Sequence, residues 1–440
     1  MNFREQESAQ KLAGAYYTPP AVAEFLVRWV GEIAPKTVLE PSCGHGVFID
    51  ALRNSSVASQ KLSITAVDID PEAIAFVRDG QPKCDAACNL HLVERDFVGH
   101  SLELMGSGIR FDAVVGNPPF IRYQYLSKAH QETAEAVFRS AELKFTRHTN
   151  AWVPFLIQGI RLLRGGGRLG MVIPSEIMHV LHAGAVRNFL MKSCSEIAVV
   201  HLDELFSDEV LQGVVLLLCT KQESEGANTS PAQIAFPTAK MSDLKNGHAA
   251  SFIKGMPFIS SRNLGYKWME GLLTQDELEV YQAARECQKV CAFDELADVE
   301  VGIVTGANKF FLVSDEVVEK YGLEKFSLPM FGRSSHVRGI SISEEDIANN
   351  ARIGLPTNFI QFPSKPLEKL PTGARRYIAL GENEGLSRRY KCRIRSPWYV
   401  VPSVWAANVA MLKRSHDVPR LILNEAGALT TDTAYRITVR

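Results

Sequence analysis

Apolar positions in the first half of the chain fall into short runs separated by turn-forming residues. TVLEP (37–41), LSITAVDID (62–70), LHLVERDF (90–97), FDAVVGN (111–117), GRLGMVIP (167–174), IAVVHLDELF (197–206) and VVLLLCT (214–220) have the length and β-branched content of strands. Between them lie helix-period stretches, PPAVAEFLVRWVGEIA (19–34) and AWVPFLIQGIRLLR (151–164) among them. Thr149 and Asn150 are suitable N-caps for the second, and Gly165 a suitable stop. Strands alternating with helices predict an α/β fold with a doubly wound, Rossmann-like parallel sheet. The last two strands are joined by a link too short for a crossover, which predicts an antiparallel hairpin at one edge. Over 221–255 the sequence turns polar and turn-rich, placing a domain boundary near residue 245. The expected domains are 1–245 and an irregular α+β domain, 246–440. No internal repeat or low-complexity tract is visible.

Composition narrows the class. A chain of 440 residues exceeds one core and calls for at least two. With 46% apolar and 22% charged residues it reads as an ordinary globular protein. The apolar run VVLLLC (214–219) is far too short to span a bilayer, and MNFREQESAQ lacks the apolar core of a signal peptide, so a cytoplasmic location is expected. The eight cysteines include two Cys-x3-Cys pairs, at 84/88 and 287/291, neither with the spacing of a zinc site. Reduced thiols and no metal are expected. A net charge of −1 excludes a uniformly basic coat but leaves room for a basic cleft. The densest positive cluster is RRYKCRIR (388–395).

The candidate chemistry sits at strand ends. After the first strand comes Glu40-Pro41-Ser42-Cys43-Gly44-His45-Gly46, a turn in which Gly44 and Gly46 let backbone N–H groups approach a ligand. The second strand ends in Asp68-Ile69-Asp70; an acid there suits a ribose, with Asp68 the candidate and Asp70 its alternate or simply a helix cap. The third ends in Asp96-Phe97, a carboxylate beside a ring, suited to adenine or else a plain strand-end turn. The fourth ends in Asn117-Pro118-Pro119-Phe120. Two prolines make that loop stiff and preset its shape. In a parallel sheet all four turns converge on one edge.

In this order the motifs resemble the class I S-adenosylmethionine-dependent methyltransferases, specifically the gamma-class N6-adenine DNA methyltransferases of the type II restriction-modification group. The resemblance covers roughly residues 14–220 and rests on GAYYTPP, VLEPSCGHG, AVDIDP, RDF and GNPPF. It implies that Thr18, Glu40, Asp68 and Asp96 contact S-adenosyl-L-methionine with Phe97 beside its adenine. The cofactor-facing set also includes Ser42, Gly44, Gly46, Ile69 and Asn117. It further implies that Asn117, Pro118, Pro119 and Phe120 form the catalytic tetrapeptide, Phe120 standing where the family often has Tyr. The Asn117 side-chain oxygen and the Pro118 carbonyl would each accept an N–H from the target amino group. The base must leave the duplex to reach them. Phe120 would stack on one face, and Phe206 matches best the family's aromatic for the other, a core phenylalanine being the plainer reading.

Residues 121–150 interleave basic and aromatic side chains, Arg122 among them, as in a DNA-facing flap or a solvated helix. Farther on, VGIVTGANKFFLV (301–313) resembles stretches of the group's target-recognition domains. Thr305, Asn308 and Lys309 are candidate donors to double-stranded DNA, a plain hairpin being the alternative. Arg393 and Arg395 are further DNA-binding candidates. No nuclease segment is expected ahead of the first motif, so the chain reads as the modification part of a restriction-modification or similar system, its endonuclease encoded separately. RNA or protein-glutamine methylation and a non-catalytic DNA-binding subunit are the competing readings.

Overall fold

The computed structural model describes residues 18–55, 61–80, 88–146, 149–202, 213–223, 232–246, 259–260, 267–413 and 418–440. Phe206 and residues 14–17 of the first motif lie outside them. The chain forms two compact units, Met1–Tyr281 and Gln282–Arg440, dividing later than the expected boundary near residue 245. Trp268 accounts for the extension: it is fully buried in a core of the first unit, edge-on to Phe236 at 6.1 Å between ring centres.

The first unit is a mixed sheet whose main path runs β10-β8-β6-β7-β5-β4-β1-β2-β3 among the described residues. Its strands are β1 (Thr37–Glu40), β2 (Leu62–Asp68), β3 (Cys88–Glu94), β4 (Phe111–Gly116), β5 (Leu163–Pro174), β6 (Cys194–Leu202), β7 (Val214–Lys221), β8 (Gln233–Ala235), β9 (Thr238–Ala239) and β10 (Ile259–Ser260). β1 to β5 pair in parallel. β7 is antiparallel and inserted between β5 and β6, which forms the expected hairpin. Beyond it β8 and β10 extend the sheet outward, and β9 also pairs with β6.

Helices cover both faces, and strand periodicity shows why. In β7, Val215, Leu217 and Cys219 enter one core while Val214, Leu216 and Leu218 enter the other. A strand buried on both sides has to be apolar at every position. Helix α1 (Pro20–Gly31) and α2 (Val47–Arg53) pack on one face. The other face carries α4 (Phe97–Gly106), α5 (Lys128–Ser140), α6 (Trp152–Leu162) and α7 (Gly184–Ser193). Helix α3 (Pro71–Asp79) lies against a small third cluster with Cys43 and Ile49. The expected stop at Gly165 is not used. α6 ends at Leu162 and β5 begins at once, so Gly165 to Gly167 lie within the strand, where a Cβ at Gly165 would stand 2.4 Å from the Glu223 carbonyl oxygen.

The second unit is α+β, as expected. One sheet runs β11 (Ala297–Val301), β19 (Ala434–Val439), β16 (Val409–Leu412), β17 (Leu421–Asn424), β14 (Ser341–Ile342). The other runs β12 (Leu312–Val313), β15 (Asn358–Ile360), β13 (Ser327–Phe331), β18 (Leu429–Thr430). Its larger core stacks Phe310 on Tyr377 at 4.6 Å, with Trp398 beside them.

Leu39 is fully buried in β1, an inner strand of the first unit's sheet. Leu39→Ala is expected to cost about 2–5 kcal/mol through lost transfer energy and the cavity left behind. Thermal denaturation followed by circular dichroism checks this, and an unchanged midpoint contradicts it.

Candidate functional site

β1 and β4 lie side by side, Val38 opposite Ala113 and Leu39 opposite Val114, and the strand order reverses between them. Such a reversal opens a crevice beyond the carboxyl ends of the strands. The chain leaves β1 through Pro41–Gly46 and β4 through Asn117–Phe120, so both turns border it. Ser42 ties them together, its hydroxyl donating to the Asn117 backbone carbonyl at 3.0 Å. Thr18, itself buried, accepts from Asn117 Nδ2 at 3.1 Å. With the NH2 held by that hydroxyl, the rotamer is fixed and the carbonyl oxygen is the amide's acceptor. Gly116 permits the close approach: a Cβ there would stand 3.1 Å from Pro41 Cδ. Pro118 is buried, and Phe120 is half-buried against the cores on both faces.

Glu40 ends β1 fully buried, and among the described residues neither carboxylate oxygen has a hydrogen-bond partner. Burial first, then the neighbouring Asp68 and Asp50, push its carboxyl well above the ordinary 4.5. Three acids this close together are complementary to a cation. Beside them Gly44 has φ +48°, and a Cβ there would meet nothing within 4 Å, so the space before it is open. Gly46, at φ +84°, is the N-cap of α2, and a Cβ there would lie 3.1 Å from Val77 Cγ2.

Asp68 Oδ2 accepts the Gly44 N–H at 2.8 Å, and Oδ1 the Asp70 N–H at 2.9 Å. The carboxylate thus fixes the glycine turn while each oxygen keeps acceptor capacity. Asp70 caps α3, taking the Glu72 N–H at 2.9 Å. The next-door Ile69 is 57% exposed, an apolar surface at the rim of the crevice. Asp96 caps α4 through the Gly99 N–H at 2.9 Å. The Phe97 ring is turned into the core, 5.1 Å from Phe155, rather than out toward a ligand. As the first residue of α4, its N–H is among those with no intrahelical acceptor.

The family model described as N-6 DNA Methylase matches residues 2–252, well over half of the chain.

The chain belongs to the N-6 DNA methylase family.

It is thereby a DNA methyltransferase, and the family implies S-adenosylmethionine as methyl donor. The model of the C-terminal domain of the type II methyltransferase M.Eco57I matches residues 265–440. The chain is similar to the type II methyltransferase M.AccI of Acinetobacter calcoaceticus, 21% identical over 437 residues, covering 98% of this chain and 76% of that protein. Among solved structures it is similar to DrdV in a DNA complex, with a TM-score of 0.54 and 11% identity over 97% of this chain and 49% of that one. The type IIL restriction-modification enzyme MmeI in complex with DNA gives 0.53 and 11%, over 98% and 64%. At those identities the structural likeness shows the fold. The chain spans 76%, 49% and 64% of these three proteins.

In the second unit of this methylase, segments far apart in sequence come together. A Cβ at Gly306 would stand 2.7 Å from Lys391 Cβ. Arg395 donates to the Thr305 carbonyl at 2.8 Å and to the Val304 carbonyl at 2.6 Å. Thr305 is buried; its hydroxyl donates to Asn308 Oδ1 and accepts the Ala307 N–H at 3.1 Å. Asn308 and Lys309 are exposed at the tip, with exposed Arg388, Arg389, Tyr390, Lys391 and Arg393 alongside. Arg393 lies 5.7 Å from the Tyr390 ring centre. In the first unit Arg122 is exposed, its backbone bridged to Asn150.

Glu176 is the residue that sequence reading missed. Its Oε1 accepts from Asn150 Nδ2 and, at 2.9 Å, from the Trp152 indole. Asn150 was expected as a helix cap, and nothing local in IPSEIM marks a partner so distant in sequence. Among the described residues no cluster of side chains suited to a metal is present, and no helix is long and apolar enough to cross a membrane.

A carboxyl raised on folding binds more protons in the folded state, so above pH 4.5 stability falls as pH rises toward the folded value. Glu40→Gln removes this titration. Without cofactor, the variant's melting temperature is expected to exceed wild type's near about pH 8, the gap closing toward acid. Scanning fluorimetry across that range checks it; a gap that widens on acidification refutes it.

Proposed function

We propose that the chain transfers a methyl group from S-adenosyl-L-methionine to the exocyclic N6 of adenine in a specific double-stranded DNA sequence, with the base turned out of the helix. The observation that carries this reading is the Asn117 loop at the strand reversal. Its amide is pinned by Thr18 and its backbone by Ser42, beside the buried carboxylate of Glu40, which has no hydrogen-bond partner among the described residues.

The residues present fit the cofactor. Glu40, with Asp68 and Asp50 near it, favours a cationic group. Asp68 has acceptor capacity for ribose hydroxyls, Ile69 offers an apolar face, and the glycine turn has room for a close approach. Asp96 and the Phe97 N–H, rather than the Phe97 ring, would meet the adenine edge. S-adenosylmethionine, when bound, supplies an electrophilic methyl group on a sulfonium.

The chain's own part is to prepare the nucleophile. The lone pair of an adenine amino group is delocalised into the ring. The Asn117 side-chain oxygen and the Pro118 carbonyl accept its two N–H bonds and favour a pyramidal nitrogen. Positive charge develops on that nitrogen as it reacts, so fixed acceptors stabilise the transition state more than the ground state. The prolines keep the acceptors in place and limit reorganisation. Phe120 stacks on the extruded base. Arg122, Asn308, Lys309 and Arg393 hold the DNA, while Thr305 and Arg395 shape the loop that presents Asn308 and Lys309. The enzyme serves as the modification part of a restriction-modification or similar defence system in the cytoplasm, opposite a separately encoded endonuclease.

Incubation with duplex DNA and methyl-labelled cofactor, followed by nucleoside analysis, tests the reading; label found only in cytosine overturns it. Asn117→Ala is expected to lower kcat by about 10²–10³-fold, the scale of losing one preorganised transition-state partner. Cofactor affinity in equilibrium binding should hardly change, and normal turnover would remove the amide from the mechanism. Lys309→Ala and Arg393→Ala are each expected to weaken duplex binding and reduce the slope of log K against log salt by about 1. An unaltered slope in a salt titration would take these side chains off the phosphates.

A further inference from the structure

The segment that follows the catalytic tetrapeptide is fixed from several sides. The Ala151 N–H donates to the Ile121 carbonyl at 2.8 Å and the Tyr123 N–H to the Thr149 carbonyl at 3.2 Å, with Arg122 bridged to Asn150 between them. Glu176, in the 3-10 turn Ser175–Met178 after β5, holds this ladder through Asn150 and Trp152. Behind it Tyr123 is buried, its ring 4.9 Å from Phe145 and its hydroxyl donating to Glu135 at 2.5 Å. Gln131 Nε2 donates to the Tyr123 and Leu126 carbonyls at 3.1 and 3.0 Å. The Ser127 side chain caps the helix that follows.

All of this immobilises one short 3-10 turn, Tyr123–Tyr125. Its last side chain, Tyr125, is 65% exposed. Arg122, at the start of the turn, is exposed as well. A single exposed aromatic is ordinary. This one is different because its backbone is clamped and stands five residues beyond Phe120, the ring assigned to the extruded base.

We propose that Tyr125 enters the DNA stack at the position the adenine vacates. The inference rests on adenine methylation by base extrusion as proposed above. Extrusion leaves two base faces without a neighbour, and an aromatic ring in the gap restores stacking on both. A ring on a rigid mount loses little freedom in doing so. A phenol suits both states, since its hydroxyl stays hydrated when no DNA is bound. Arg122 beside it is placed for the adjoining phosphate.

The test compares wild type, Tyr125→Ala and Tyr125→Phe on duplexes carrying the sequence read from the wild-type enzyme's methylated sites. One duplex is fully paired; the other has the target adenine mismatched, which lowers the cost of extrusion. On paired DNA, Tyr125→Ala is expected to lower kcat/KM by about 10- to 100-fold, the range of one lost base–aromatic stack. Tyr125→Phe should stay within about threefold, because the stack survives. On the mismatched duplex the deficit of Tyr125→Ala should shrink to about threefold, and 2-aminopurine at the target should show reduced extrusion only in the paired duplex. Full activity of Tyr125→Ala on paired DNA overturns the inference. So does an equal loss on both duplexes, which would mark a general effect on folding or binding. A wild-type enzyme that methylates adenine in neither duplex would overturn the parent reading, and this inference with it.

Discussion

The first unit depends on one junction: two turns leaving neighbouring parallel strands, held together by the Ser42 hydroxyl on the Asn117 carbonyl. Neither turn defines a site alone. The glycine turn brings a buried acid and open space; the proline loop brings an amide and a ring. Their join is possible because Gly116 lets Pro41 pack directly against the end of β4. The cores on both faces of the sheet include residues of β1 and β4 and pack them in that register.

The junction also shows how one group can serve two purposes. Asp68 sets the glycine turn through Gly44 and the following helix start through Asp70, yet each of its oxygens keeps acceptor capacity. Asp96 and Asp70 both cap helices, and only Asp96 is also assigned to the cofactor. Glu40 is the opposite case, a carboxylate with no hydrogen-bond partner among the described residues. A buried charge without a partner is costly, and here the cost falls where a cation is expected to bind.

Much of this was legible in the sequence because it is local. Strand runs such as VVLLLC announce burial on both faces, and successive strand-end motifs announce a shared edge. Thr18, Glu40, Ser42, Gly44, Asp68 and Asn117 do meet at one crevice or its immediate support. What sequence could not give is direction and distance. It put the Phe97 ring outward, whereas an aromatic at the first position of an amphipathic helix is claimed by the core. It read Asn150 as a cap, because its partner Glu176 lies beyond a whole strand. It grouped Arg395 with the other cations by charge density, and only the fold shows its planar fork donating to two carbonyls.

That last arrangement has a bearing on how the protein can change. Arg395 grips main-chain oxygens of Val304 and Thr305, and main-chain oxygens are the same whatever residue carries them. The two Arg395 bonds are therefore independent of side-chain identity, although Asn308 is also tied in through the Thr305 hydroxyl. New side chains at Lys309 can be tried by evolution, or by an engineer, without touching the two bonds from Arg395.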